Sequence, residues 1–432
     1  MSAWPFLVQL GQGFIQILLT PLFYIAILLV YLQYKKQVSL ERKLFGVRVT
    51  SAENQTLKSL LYGILGGIVT SLLLSGTGIV FHPTDFVYVW ILAVILALVF
   101  NVRFICFAYA GGILSIVSLL LNTLPWISIE WEWAASIYSD IRSLSVSHLL
   151  ALVAILHLVE ALLVFLQGQD GVTPVFVQSK RGRLVGGFVL QKLWVLPLAA
   201  VVATGTNGFE PPAWWTIFPV TGLSGLQIVP IPAVLGYSGV ALSRHPAEKT
   251  ARTSKYLAIY ALLLLFFTLT GAKFAPVLLW VAAVFSPVAH EILIRFEMED
   301  EKSKPHRFVK PLQGLRILSV IPGSPAESLQ LKPGEIIAKA NGVPVNSPFE
   351  LHFALNQNPA FIKLEVVDEQ GEIRFASKPR FDGEPHSLGL ILVPDETVRE
   401  YVRLDTIPIW RQFWSSIFRS SKGKVDSALH KQ

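Results

Sequence analysis

Apolar residues in this chain fall into long uninterrupted blocks until about residue 295, and into short alternating runs after it. Blocks of about 20 residues with almost no charge are the mark of membrane-spanning helices. They predict nine spans, at 13–34, 59–80, 86–100, 104–121, 148–166, 188–204, 219–241, 256–271 and 274–294. Residues 1–295 are therefore expected to be a polytopic transmembrane domain of eight or nine spans. A charged, proline-containing linker follows at 296–311, then a folded water-soluble domain at 312–395 and a basic amphipathic tail at 396–432.

The domain at 312–395 opens on the strand pattern Gly314-Leu315-Arg316-Ile317-Leu318-Ser319-Val320-Ile321, which breaks at Pro322-Gly323. Ser324-Pro325 then reads as an N-cap followed by proline at the first helical position. Asn341-Gly342, set between apolar runs, predicts a hairpin. A second helix starts at Ser347-Pro348 and carries Phe349, Leu351, Phe353 and Leu355. Another hairpin turns at Gln370-Gly371.

These pieces, in this order, resemble a PDZ domain. Val320–Ala326 matches V-x-x-G-S-P-A, residues 334–337 match G-D-x-I with Glu335 in place of the aspartate, and Asn341-Gly342 completes the signature. The glycine-containing loop that usually opens such a domain is missing ahead of Gly314. Its best match is Ser387-Leu388-Gly389-Leu390-Ile391, at the far end. That order resembles the circularly permuted PDZ of bacterial membrane proteins, a mixed α/β fold with a partly open β-barrel. The resemblance implies that a loop and strand at Leu388, Gly389, Leu390 and Ile391 take a peptide carboxylate and an added strand, with Phe349, Leu351 and Phe353 facing the groove. The same side chains would equally well fill the core of a small domain.

Composition agrees with the membrane reading. Hydrophobic residues make up 53% of the 432 and charged residues 15%. The net charge of +7 comes from basic residues beside the apolar blocks, so membrane topology accounts for it and nucleic acid is not an expected partner. With the amino terminus outside, the inner loops carry fourteen Lys/Arg and the outer loops only Arg142 and Lys273. That asymmetry puts the C-terminal domain in the cytoplasm. Trp126, Trp131 and Trp133 read as an interfacial belt in an outer loop, and Trp214-Trp215 in another reads the same way.

Candidate chemistry is sparse. No cofactor and no metal site is expected, since the single cysteine, Cys106, lies inside an apolar block. His157 and Glu160, three apart on one helix, read as a buried hydrogen-bonded pair. His290-Glu291 resembles half of the HExxH of site-2 metalloproteases, but the second histidine position holds Ile294. This pair reads instead as interfacial, at a helix end. Gly222-Leu223-Ser224-Gly225 resembles the rhomboid serine motif, yet in the expected topology Ser224 and His290 lie at different depths. The chain is thus not expected to be an enzyme. A regulatory or degenerate intramembrane protease of site-2 type, its PDZ domain gating substrates, is the alternative.

In the tail, Trp410, Phe413, Trp414 and Ile417 share a helix face, with Arg411 and Arg419 supplying positive charge. That pattern reads as an interfacial helix binding membrane lipids, or as a helix packing on protein. The whole-chain architecture, with the inner-loop segment Glu41-Arg42-Lys43-Leu44-Phe45-Gly46-Val47-Arg48-Val49, resembles the MinJ-like family of cell-division topological determinants. The resemblance implies an adaptor at septum and poles, able to form a homo-oligomer, that bridges the polar scaffold DivIVA and the division inhibitor MinD.

Overall fold

The computed structural model describes residues 3–402 apart from 101, 126, 180–181, 205–224, 382–386, 396–397 and 399. The first half is helical: α1 (Ala3–Leu18), α2 (Pro21–Phe45), α3 (Ala52–Thr77), the short strand β1 (Val80–Phe81), α4 (Pro83–Val99), α5 (Phe107–Thr123), α6 (Glu132–Ser143) and α7 (Val146–Gln167). Three strands follow, β2 (Thr173–Gln178), β3 (Leu184–Ala203) and β4 (Leu226–Ala241), then the helices α8 (Pro246–Lys273) and α9 (Val277–Ser303). The C-terminal part holds β5 (Leu315–Val320), α10 (Pro325–Ser328), β6 (Ile336–Ala340), β7 (Val343–Pro344), α11 (Pro348–Asn356), β8 (Phe361–Val367), β9 (Ile373–Pro379) and β10 (Leu390–Leu392).

Among the described residues, α3, α7, α8 and α9 are each long and apolar enough to cross a membrane. The pair α1 and α2, bent by 60°, adds a fifth if it is one span. The bend falls where Pro21 lacks an N–H and holds Thr20 extended. α4 and α5 are apolar but shorter. α7 is apolar all round and buried on nearly every face, so it forms the axis against which α3, α5, α8 and α9 pack.

Two expected spans are corrected. The blocks 188–204 and 219–241 are, over the described residues, the paired strands β3 and β4 rather than helices. Their antiparallel register runs unbroken from Phe188↔Ala241 to Ala203↔Leu226. Such a hairpin exposes backbone edges, which apolar surroundings penalise heavily. Local chemistry relieves both edges. Pro197 lies opposite Pro232, and neither has an N–H, so this pair and its neighbour Ala199↔Pro230 must aim their nitrogens away from the shared ladder. On the outer edge of β4, Pro230 and Pro232 then have no donor to satisfy. On the other edge, the Ala199 N–H donates to Ser71 Oγ of α3 at 2.8 Å.

α3 approaches that edge through small residues. A Cβ added at Gly63 would sit 2.3 Å from Val195 O, and one at Gly67 2.4 Å from Pro197 O. Polar side chains complete the contact: Lys192, only 1% exposed, donates to Gln55 Oε1 at 2.9 Å, and Trp194 Nε1 donates to Gln167 Oε1. Two buried carboxylates tie down the hairpin's flanks. Glu41 accepts from the Val49 and Thr50 N–H groups and from Thr173 Oγ1 of β2. Glu301 accepts from the Leu242 and Ser243 N–H groups and from Arg244.

The C-terminal strands form an open sheet in the order β10-β5-β6-β8-β9, with β7 beside β6. β10 and β9 are its two edges, so the expected partly open barrel is here an antiparallel, unclosed sheet. The elements fall where alternation placed them. Asn341 and Gly342, at φ 50° and 85°, make the turn between β6 and β7. α9 runs to Ser303, into the stretch expected to be linker.

Candidate functional site

The first candidate is the edge strand β10 and the loop ahead of it. Gly389 has φ +76°, and an added Cβ would lie 2.2 Å from Ser324 Cβ, so only glycine fits. Gly389 O accepts from the Ile321 N–H and Leu388 O from the Ala326 N–H, both at 2.9 Å, which ties the loop to the start of α10. One side of β10 pairs with β5; among the described residues no strand pairs with the other.

The residues singled out from the sequence divide into two groups. Leu388 and Leu351 lie in the domain core, and Ile391 in the core shared with the helical part. Leu390 is half-buried on the edge strand. Phe349 and Phe353 are 77% and 56% exposed and stand one turn apart on α11. Trp410, Arg411, Phe413, Trp414, Ile417 and Arg419 lie outside the described residues, as do Trp126, Trp214, Trp215 and Ser224.

The C-terminal domain sits directly on the helical part. Phe308, fully buried, stacks edge-on against Phe188 of β3, and its carbonyl accepts from the Gly186 N–H at 2.8 Å. Leu318 and Ile391 join the same core. Glu369 accepts from Arg307 Nε at 2.9 Å and lies 3.0 Å from His245 Nε2. The Arg307 guanidinium, with His245 and against the desolvation of burial, holds the Glu369 carboxyl below its ordinary range. Past β10 the chain returns to the helical part, where the Val402 N–H donates to Phe176 O at 2.8 Å.

The second candidate is a polar cluster among the helices. His157 does not pair with Glu160. Its Nδ1 lies 2.7 Å from Val153 O and its Nε2 3.2 Å from Cys106 Sγ, so both nitrogens are engaged elsewhere. His290 is not at a helix end either. It lies in the middle of α9, 7% exposed, with Nε2 3.7 Å from Cys106 Sγ. The neighbouring Glu291 accepts from Tyr109 Oη at 2.7 Å and from Arg295 Nε at 2.6 Å. The expectation that Cys106 has no ligating neighbours thus fails: α5, α7 and α9 bring three donor atoms to within 4.8 Å of one another. Only the spacing His157-x-x-Glu160 hinted at this, since the other two residues are far apart in sequence.

Among the described residues, four or five helices long and apolar enough to span a membrane, with a docked α/β domain, are the features of a membrane protein bearing a C-terminal globular domain. The chain is similar to MinJ proteins. It is 27% identical to the cell division topological determinant MinJ of Bacillus subtilis (strain 168) over 393 residues, 89% of this chain and 95% of that one. It is also 29% identical over 254 residues to the probable MinJ proteins of Lacticaseibacillus paracasei and Lacticaseibacillus casei (strain BD-II), covering 58% of this chain and 67% of theirs. No protein-family model matches the chain.

Proposed function

We propose that the protein is a membrane-embedded adaptor in division-site selection, whose C-terminal domain is a permuted PDZ. The observation that carries the division role is the similarity to the MinJ of Bacillus subtilis over 89% of this chain. The PDZ reading rests on the signature at Val320–Ala326 and on an edge strand, β10, that directly follows a loop only Gly389 can form. A cytoplasmic peptide would add to β10 as a further strand, with Phe349 and Phe353 available on α11 for its side chains. The proposed partners are a DivIVA-like polar scaffold and a MinD-like inhibitor, and the proposed orientation has the amino terminus outside and the domain inside.

A domain docked on the rest of the chain suits this role. Phe308, Glu369 and Val402 fix its place relative to the helices, so a partner bound there would be held at the membrane surface. Clustering of many copies would add avidity to weak single contacts. Localisation of a fluorescent fusion beside a deletion strain tests the reading. Enrichment at septa and poles, with filamentous or minicelling cells on deletion, is the expected result; a uniform membrane signal with normal division overturns it.

A further inference from the structure

We propose that Cys106, His157 and His290 form a binding site for a d10 transition-metal cation, Zn2+ or Cu+, in the middle of the helical part. The residues come from three elements: the N-cap of α5, the centre of α7 and the centre of α9. Their ligand atoms lie within 4.8 Å of one another. A cation holding sulfur at about 2.3 Å and nitrogen at about 2.05 Å in tetrahedral geometry sets them about 3.6 Å apart. The distances from Cys106 Sγ to the two Nε2 atoms, 3.2 and 3.7 Å, bracket that value.

The surroundings prepare the ligands. Val153 O accepts from His157 Nδ1 at 2.7 Å, which assigns the proton to Nδ1 and leaves the Nε2 lone pair aimed at Cys106. A histidine held by a carbonyl through its other nitrogen is the usual outer support of a metal ligand. Tyr260 packs edge-on against both imidazoles, at 5.2 Å from His157 and 5.7 Å from His290, and Tyr109 against His290 at 5.2 Å. Tyr260 Oη is itself occupied, donating to Ser286 O at 2.9 Å.

Donor softness and charge select the ion. One thiolate with two imidazoles favours Zn2+ or Cu+ over Mg2+ and Ca2+, which take oxygen ligands. On binding, the Cys106 thiol releases its proton to solvent. The thiolate alone then neutralises Cu+. Zn2+ retains one positive charge, which Glu160, buried on the next turn of α7, would offset as a carboxylate. A bound ion would pin α5, α7 and α9 together.

The chain's single cysteine makes the test direct. The full-length protein, purified in detergent without chelator, would be assayed for metal by mass spectrometry. The stripped protein would then be titrated with Zn2+, with Cu+ under anaerobic conditions, and with Co2+ as a spectroscopic probe. Expected are stoichiometric uptake, a thiolate-to-Co2+ charge-transfer band absent from Cys106→Ser, and at least about 10-fold weaker binding in His157→Gln and His290→Gln. Competition between Zn2+ and Cu+ identifies the native ion. Protection of the Cys106 thiol from maleimide by added Zn2+ or Cu+ gives a readout that needs no variant. Uptake of neither metal, binding unchanged in a correctly assembled Cys106→Ser, or no thiol protection overturns the proposal.

Discussion

The Ala199 backbone N–H of β3 donates to the Ser71 hydroxyl of α3 at 2.8 Å, so a side chain of one element completes the ladder of another. Both groups are buried. Ser71→Ala therefore leaves a buried donor without its partner, at a cost of about 1–3 kcal/mol. The expected outcome is a lower thermal midpoint of the detergent-solubilised protein. An unchanged midpoint would show that the β3 edge is satisfied in some other way.

Two glycines of the same helix give opposite expectations. At Gly67 a Cβ would lie 2.4 Å from Pro197 O, a backbone atom that cannot move aside, so Gly67→Ala should separate α3 from β3. Overpacking of this kind costs about 1–3 kcal/mol. Gly76 has nothing within 4 Å, and Gly76→Ala should stabilise by up to about 1 kcal/mol through helix propensity. Limited proteolysis of the two variants would separate these effects, with cleavage rising only in the first.

Seating of the C-terminal domain should depend on pH through Glu369. Arg307 lowers its folded pKa below the value of 4.5 expected when free. Stability from this contact is thus fully present above pH 4.5, and is lost as pH falls through the depressed folded value. The protection of the Gly186 amide by Phe308 O, measured as its hydrogen-exchange rate relative to the intrinsic rate at each pH, should fall in acid. Glu369→Gln should show the lower protection already at neutral pH.

On α11, the core residue Leu351 lies two positions from each of the exposed Phe349 and Phe353. Leu351 is 7% exposed and packs in the domain core, so Leu351→Ala should cost about 2–5 kcal/mol. Phe349→Ala and Phe353→Ala remove exposed rings and should change stability by no more than about 0.5 kcal/mol. If the proposed groove is used, the two phenylalanine variants should nonetheless lose septal enrichment of a fluorescent fusion. Retained enrichment in the double variant would remove α11 from the docking surface.

The C-terminal part was largely legible because its signals are local. Asn341-Gly342 makes its turn from two positive φ angles, Ser347 caps α11, and strand alternation needs only a few residues of context. The helices α3, α7, α8 and α9 were legible for a similar reason, since a long apolar run satisfies its own backbone only as a helix. The same rule misread β3 and β4, although Pro230 and Pro232, two apart within one run, are poor helix residues and a sign of something else.

Residue order alone thus settled which segments are apolar, where the turns of the C-terminal part lie and that α3, α7, α8 and α9 are long apolar helices, because propensity and hydropathy act over a turn or two of chain. Only the tertiary structure decided that 188–203 and 226–241 are strands, since their edges are tolerable only with Ser71, Gly63 and Gly67 of α3 alongside and with prolines opposite one another. It alone brought Cys106, His157 and His290 together, and seated Phe308 on β3. Those contacts join residues tens to nearly two hundred positions apart, and packing, not local pattern, selects them.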